Sequence, residues 1–133
     1  ANLENACFRD VVVDQVSLYG IRFSGAKLHQ LEMPTGFLEI KSFGYAHLSE
    51  VCFFYNTLKK LLFEGSDLKK VVFDHCYLNR CSFKKTLWNQ VEFRYVTLKD
   101  CDFSEVDAKN SCFKNCSIDV KTRNTNPHIF RNI

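Results

Sequence analysis

The sequence predicts an all-β chain wound into a four-sided solenoid of about six 20-residue coils with a short C-terminal cap. Three observations predict it. An apolar residue recurs every five positions from Leu3 to Ile118 without a slip of register. A second restricted position, two residues earlier in each block, is held mostly by small or β-branched residues such as Ala26, Val51 and Cys81. Residues one coil apart fall into columns of matched size. Spacings of 3.6 or 2.0 would mark a helix or an ordinary strand, whereas a strict five fits a chain that turns a corner once per block.

With blocks counted from Ala1 and four corners to a coil, the first column is Leu3, Phe23, Phe43, Phe63, Phe83 and Phe103. The second is Phe8, Leu28, Leu48, Leu68, Trp88 and Ala108, and the third is Val13, Met33, Phe53, Phe73, Phe93 and Phe113. The fourth is Leu18, Leu38, Leu58, Leu78, Leu98 and Ile118. Phe or Leu holds 19 of these 24 positions, where chance would supply about five. Two facing phenylalanine columns describe a square tube filled in layers. Trp88 followed one coil later by Ala108 reads as a volume exchange in a close-packed core.

The remaining elements follow in chain order. The N-terminal position of the first block is Ala1, and Val11 and Val16 hold the same block position two and three blocks on, with no visible N-terminal cap. Met33-Pro34-Thr35-Gly36 interrupts the second coil, because proline cannot donate to a ladder and the pair Pro34 and Gly36 signals a bulge. Lys41 is the single charge at an inward position, so the passage from coil two to coil three is expected to distort there. Residues 121–133 break the period, Arg123 standing where an apolar residue is due. Solenoid ends need covering, so this tail is expected to cap the last coil through Ile129 and Phe130.

The 133 residues suffice for one domain. A chain with 46% hydrophobic and 25% charged residues, Gly 5 and Pro 2, is neither disordered nor collagenous. No uncharged apolar run is long enough to insert into a membrane, and no signal-peptide pattern opens the chain. Met33 is the only methionine, which reads as a processed chain or a piece of a longer one. The net charge of +3 is too small to announce a nucleic-acid binder, yet residues 51–100 carry nine basic against five acidic side chains.

Ala1-Asn2-Leu3 and Ser66-Asp67-Leu68, with the looser Ala26-Lys27-Leu28 and Ala46-His47-Leu48, resemble the pentapeptide-repeat family over residues 1–120. The resemblance implies a right-handed, four-sided parallel β-helix and a non-catalytic role. Some relatives are bacterial effectors in which such a helix accompanies an enzymatic domain, so a targeting role in a larger bacterial protein is one expectation. Other relatives inhibit DNA gyrase by resembling duplex DNA, but that needs an acidic face and the net charge here is +3. Family members often pair through a terminal cap, which makes residues 121–133 a candidate homodimer contact.

For chemistry, the seven cysteines read first as small buried groups in a reducing compartment. Cys76, Cys81, Cys101 and Cys116 occupy the small inward position, and Cys7, Cys52 and Cys112 point outward. Whether Cys81 and Cys101, one coil apart, are bridged stays open. No C-x-x-C pair exists and His29, His47, His75 and His128 are scattered, so no metal and no cofactor are expected. Nucleophile elbow, Walker loop and H-E-x-x-H motifs are all missing, so neither catalysis nor a small-molecule substrate is expected.

The candidate site is therefore a surface for a protein partner. Gln15, Thr35, Tyr55, His75, Tyr95 and Asn115 form one corner column, which places Tyr55, His75 and Tyr95 in adjacent coils with Phe37, Phe54 and Tyr77 close by. Lys59, Lys60, Arg80, Lys84, Lys85 and Lys99 are expected round the next corner. Clustered exposed aromatics beside cations mark docking sites, although a ladder of rings can also serve only to hold stacked strands. A cytoplasmic protein, or one delivered into a host cytosol, is the leading placement. The alternative is an extracellular or luminal receptor-like domain. Cys112-Phe113-Lys114-Asn115-Cys116-Ser117 resembles the luminal pentapeptide-repeat domain of transporter-type synaptic vesicle glycoproteins and contains a sequon at Asn115.

Overall fold

The computed structural model describes residues 2–9, 20–131 and 133, so Ala1, Val11, Val13, Gln15, Val16 and Leu18 lie outside the described residues. In chain order the strands are β1 (Cys7–Arg9), β2 (Lys27–Glu32), β3 (Gly36–Leu38), β4 (His47–Phe54), β5 (Asn56–Lys59), β6 (Asp67–Lys69) and β7 (Val72–Asp74). They continue as β8 (Tyr77–Asn79), β9 (Leu87–Asn89), β10 (Glu92–Arg94), β11 (Thr97–Lys99), β12 (Asp107–Lys109), β13 (Cys112–Lys114) and β14 (Ser117–Ile118). A short helix, α1 (Val120–Thr125), follows.

All described pairings are parallel and join residues one coil apart, as in Leu28 to Leu48 to Leu68 to Trp88 to Ala108. The fourth side of the square is the five-stranded sheet β3, β5, β8, β11 and β14. The second and third sides merge into one nine-stranded sheet because β2 and β4 run on through their corner. The first side has only single bridges, from Asn2 through Arg22, Ser42, Leu62 and Ser82 to Asp102. There the chain turns at once: the N–H groups of Ala26, Ala46, Ser66 and Thr86 donate to the carbonyl three residues back. Coils two to six lie in the described part, and residues 2–9 add a portion of the first.

The inward columns meet as layers. Phe43, Phe63, Phe83 and Phe103 stack with ring centroids 5.3, 4.6 and 4.8 Å apart, and Phe53, Phe73, Phe93 and Phe113 stack at 4.8 Å. Between the columns the rings meet edge to face, as for Phe73 and Phe83 at 5.8 Å, the arrangement the ring quadrupole favours. Trp88 is edge-on to Phe83 and Phe103 and reaches Phe113 one coil on, in the layer where the small Ala108 stands.

Corners impose the second rule. In nearly every described block the fifth residue is left-handed, from Asn5 through Tyr55, Lys60, His75 and Arg80 to Asn115, with glycine at 20, 25 and 65. Left-handed backbone excludes β-branched side chains most strongly. Thr35, Ile40 and Val120 are the β-branched residues at corner positions, and none of them has a positive φ. At the first, Gly36 takes the positive φ of 99° instead. At the second, Ile40 turns inward and is buried. Lys41, expected inward, is consequently exposed, which corrects the sequence reading: the distortion expels the charge instead of burying it. At the third, the solenoid ends and α1 begins.

Asn56 explains how the Pro34 to Gly36 irregularity is held. It is buried, and its Nδ2 donates to the carbonyls of Pro34 at 2.7 Å and Gly36 at 3.1 Å. The last coil has open edge groups as well. Thr122 Oγ1 accepts from the Cys101 N–H and Thr125 Oγ1 from the Phe103 N–H, while Asn126 Nδ2 donates to the Phe103 carbonyl. Asp119 both caps α1, accepting from the Thr122 N–H, and accepts from the Asp100 N–H. Phe130 is buried against Phe103 and Phe113.

Candidate interaction face

Tyr55, His75 and Tyr95 are left-handed corner residues one coil apart, between the third and fourth sides. Their rings stack with centroids 4.7 Å apart and planes 16° from parallel at both steps. Stacking uses the ring faces and leaves the edges outward, so Tyr55 stays 62% and Tyr95 54% exposed. His75 Nδ1 meets the Asp74 carboxylate. Arg94 lies 3.4 Å from Asp74 and 3.6 Å from Glu92, tying the ladder to the third side.

Around the corner, Phe37, Thr57, Tyr77 and Thr97 form one outward row of the fourth side. Tyr55, His75, Tyr77 and Tyr95 with Thr57 and Thr97 line a shallow depression there. Phe54 stands before the corner, on the third side, in register with Asp74. Lys59 and Lys99 project from β5 and β11, and Lys60 and Arg80 occupy the following corner. Lys59 Nζ sits 5.8 Å over the Phe37 ring, a cation-π contact. Lys84 and Lys85 are not brought to this group: Lys84 belongs to the first side, and Lys85 is the corner beyond it.

The described ion pairs, His29 with Glu50, His47 with Asp67, His75 with Asp74 and Arg94 with Asp74 and Glu92, lie on the second and third sides. Lys59, Lys60, Arg80 and Lys99 take part in none of them. A notch of about 360 Å³ lined by Phe37, Ile40, Lys41, Lys59 and Lys60 opens where Ile40 turned inward. Sequence reasoning missed it, although a β-branched residue at a corner position was the signal.

The cysteines are free thiols. Cys76, Cys81, Cys101 and Cys116 donate from the small inward position to the carbonyls of Phe53, Leu58, Leu78 and Phe93, at 3.2 to 3.4 Å. Burial pushes Cys76 up to about 11. The hydrogen bond with Cys101, together with burial, holds Cys81 well above the usual thiol range. Such protonated thiols are poor nucleophiles and poor metal ligands. Among the described residues no three His, Cys, Asp or Glu side chains are grouped as a metal set, and no helix is long and apolar enough to cross a membrane.

No protein-family model matches the chain, and no curated protein matches it. Solved structures do. The chain is similar to Rfr23, a pentapeptide repeat protein from the cyanobacterium Cyanothece 51142, at 13% identity over 90% of this chain and 85% of that one, with a TM-score of 0.54. Full-length QnrB1, a plasmid-mediated fluoroquinolone resistance protein, matches at 9% identity over 90% of this chain and 94% of its own, but with a TM-score of 0.32 it carries no inference. The five-residue register, the four stacked sides and the likeness to Rfr23 agree: the chain has the fold of the pentapeptide-repeat proteins, a four-sided parallel β-solenoid.

Proposed function

We propose that this solenoid is a non-catalytic scaffold that docks a protein partner on its fourth side and the corners flanking it. The observation that supports the reading is the exposed Tyr55, His75 and Tyr95 stack standing beside Lys59, Lys60, Arg80 and Lys99, cations that enter none of the described ion pairs. Aromatic edges and unpaired cations on rigid backbone are what a docking partner can use at little ordering cost. Phe37, Phe54 and Tyr77 extend the aromatic surface on either side of the corner. Lys84 and Lys85 fall outside the face.

The test is capture of a partner from a lysate by the parent and by a variant carrying Tyr55→Ala, Tyr95→Ala, Lys59→Glu and Arg80→Glu, after circular dichroism shows both folded. A protein retained by the parent and lost by the variant supports the face. Equal retention by both, or none by either, sinks it.

A further inference from the structure

We propose that the notch beside Ile40 and the cation row next to it seat a short acidic polypeptide segment with an apolar side chain, an inference that rests on reading this side as a protein-docking face. The notch follows because Ile40 does not take the left-handed corner conformation, and its inward turn drives Lys41 out to line the notch with Lys59, Lys60 and the half-exposed Phe37. The lining thus brings the apolar Phe37 and Ile40 together with three lysines, and Glu39 is the one carboxylate among the described lining residues. Arg80 and Lys99 continue the positive row over the next two coils.

The row is bounded. Glu39 precedes it in coil two, and Asp100 and Asp119 close it at the capped end. At about 4.8 Å per coil it runs roughly 10–15 Å, which three or four extended residues cover at about 3.3 Å each. A duplex polyanion would continue past both ends against like charge, whereas a short acidic segment stops within them. An apolar side chain from that segment would lie on Phe37 while its flanking carboxylates meet Lys41, Lys59 and Lys60.

The experiment is a ¹⁵N amide-shift titration with the blocked peptide Glu-Glu-Leu-Glu-Asp, compared with Lys-Lys-Leu-Lys-Lys and with a short DNA duplex. The expected result is shifts confined to Lys41, Lys59, Lys60, Arg80 and their neighbours. Affinity should fall about tenfold in Lys59→Glu/Arg80→Glu and on raising NaCl from about 50 to about 300 mM. Lys69→Glu/Lys70→Glu, the same charge change on the second side, should leave it within about twofold.

No shift up to about 5 mM peptide, equal shifts on the second side, or tighter binding of the duplex at these residues would overturn the proposal. The parent reading is separated by the captured partner. If its binding is lost in Tyr55→Ala/Tyr95→Ala with the unfolding midpoint unchanged, but survives Lys59→Glu/Arg80→Glu and high salt, the face stands and the acidic segment does not. If it survives all the variants, the face itself is wrong.

Discussion

Removing one ring from the middle of the tube tests whether layered phenylalanines hold the solenoid together. Phe83 is fully buried. It stacks on Phe63 at 4.6 Å and Phe103 at 4.8 Å, and meets Phe73, Phe93 and Trp88 edge to face at 5.8, 5.7 and 6.2 Å. Truncating a buried Phe to Ala costs about 3–5 kcal/mol, from lost transfer energy and the cavity left behind. Aromatic pairs add about 0.5–1.5 kcal/mol each beyond area, which puts Phe83→Ala near the top of the range, at about 5 kcal/mol. For a domain of this size, at about 4 °C per kcal/mol, the melting midpoint should fall by about 20 °C. Urea unfolding followed by far-UV circular dichroism and by Trp88 fluorescence reads the loss. Phe83→Leu should restore most of it, and Leu87→Ala, at an exposed outward position, should stay within about 0.5 kcal/mol of the parent. A Phe83→Ala cost below about 1 kcal/mol, or one matching Leu87→Ala, would refute the layered core.

Asn56→Ala removes both donors to the Pro34 and Gly36 carbonyls, and should cost about 1–3 kcal/mol, with faster amide exchange at Gly36 before any change near Phe103. Thr122→Val leaves the Cys101 N–H unpaired under the cap, at a similar cost of about 1–3 kcal/mol, read as accelerated exchange at Cys101. Partial burial pushes the Asp119 carboxyl up, but hydrogen bonds from Thr122 and Asp100 outweigh it and hold the group below its ordinary value of 3.8. Its contribution is therefore fully present above that value and lost as pH falls below it, so Asp119→Asn should flatten the acid limb of the stability profile. Alkylation near pH 8 should reach the exposed Cys7 first and the buried Cys76 and Cys81 only on unfolding, as peptide mapping would show.

The columns were legible because each inward position sees the same neighbours one coil above and below, so size repeats with the coil. That is why the Phe43 to Phe103 and Phe53 to Phe113 stacks, the Leu58 to Leu98 row and the Trp88 and Ala108 exchange can be read directly from residue spacing. The fate of Lys41 was not legible from inward positions alone, since it is decided one residue earlier by the conformation available to Ile40. Had the corner column been read for β-branching, Thr35, Ile40 and Val120 would have marked all three departures. The candidate face was half legible. The Tyr55, His75 and Tyr95 stack follows from the register, whereas Lys84 and Lys85, expected round the same corner as Lys59 and Arg80, lie one corner further, because a corner every five residues carries them to the far end of the first side.

The corner residues also decide how the proposed function can be tested. A non-glycine residue in the left-handed region costs roughly 1–2 kcal/mol, and at Tyr55 and His75 the ladder holds it there, their N–H groups donating to Asp74 and Arg94 one coil on at 2.9 Å. Stacking returns part of that cost for the three rings, so changing Tyr55 or Tyr95 perturbs the scaffold and the docking surface together. Lys60 and Arg80 are different. Their backbone N–H groups bond to Asn79 and Lys99, but their side chains enter no described ion pair, so reversing the Arg80 charge leaves the ladder as it was. Loss of a partner on reversing Lys59 and Arg80, with unfolding unchanged, therefore reports on docking alone, and the tyrosine variants can be interpreted only once that result is known.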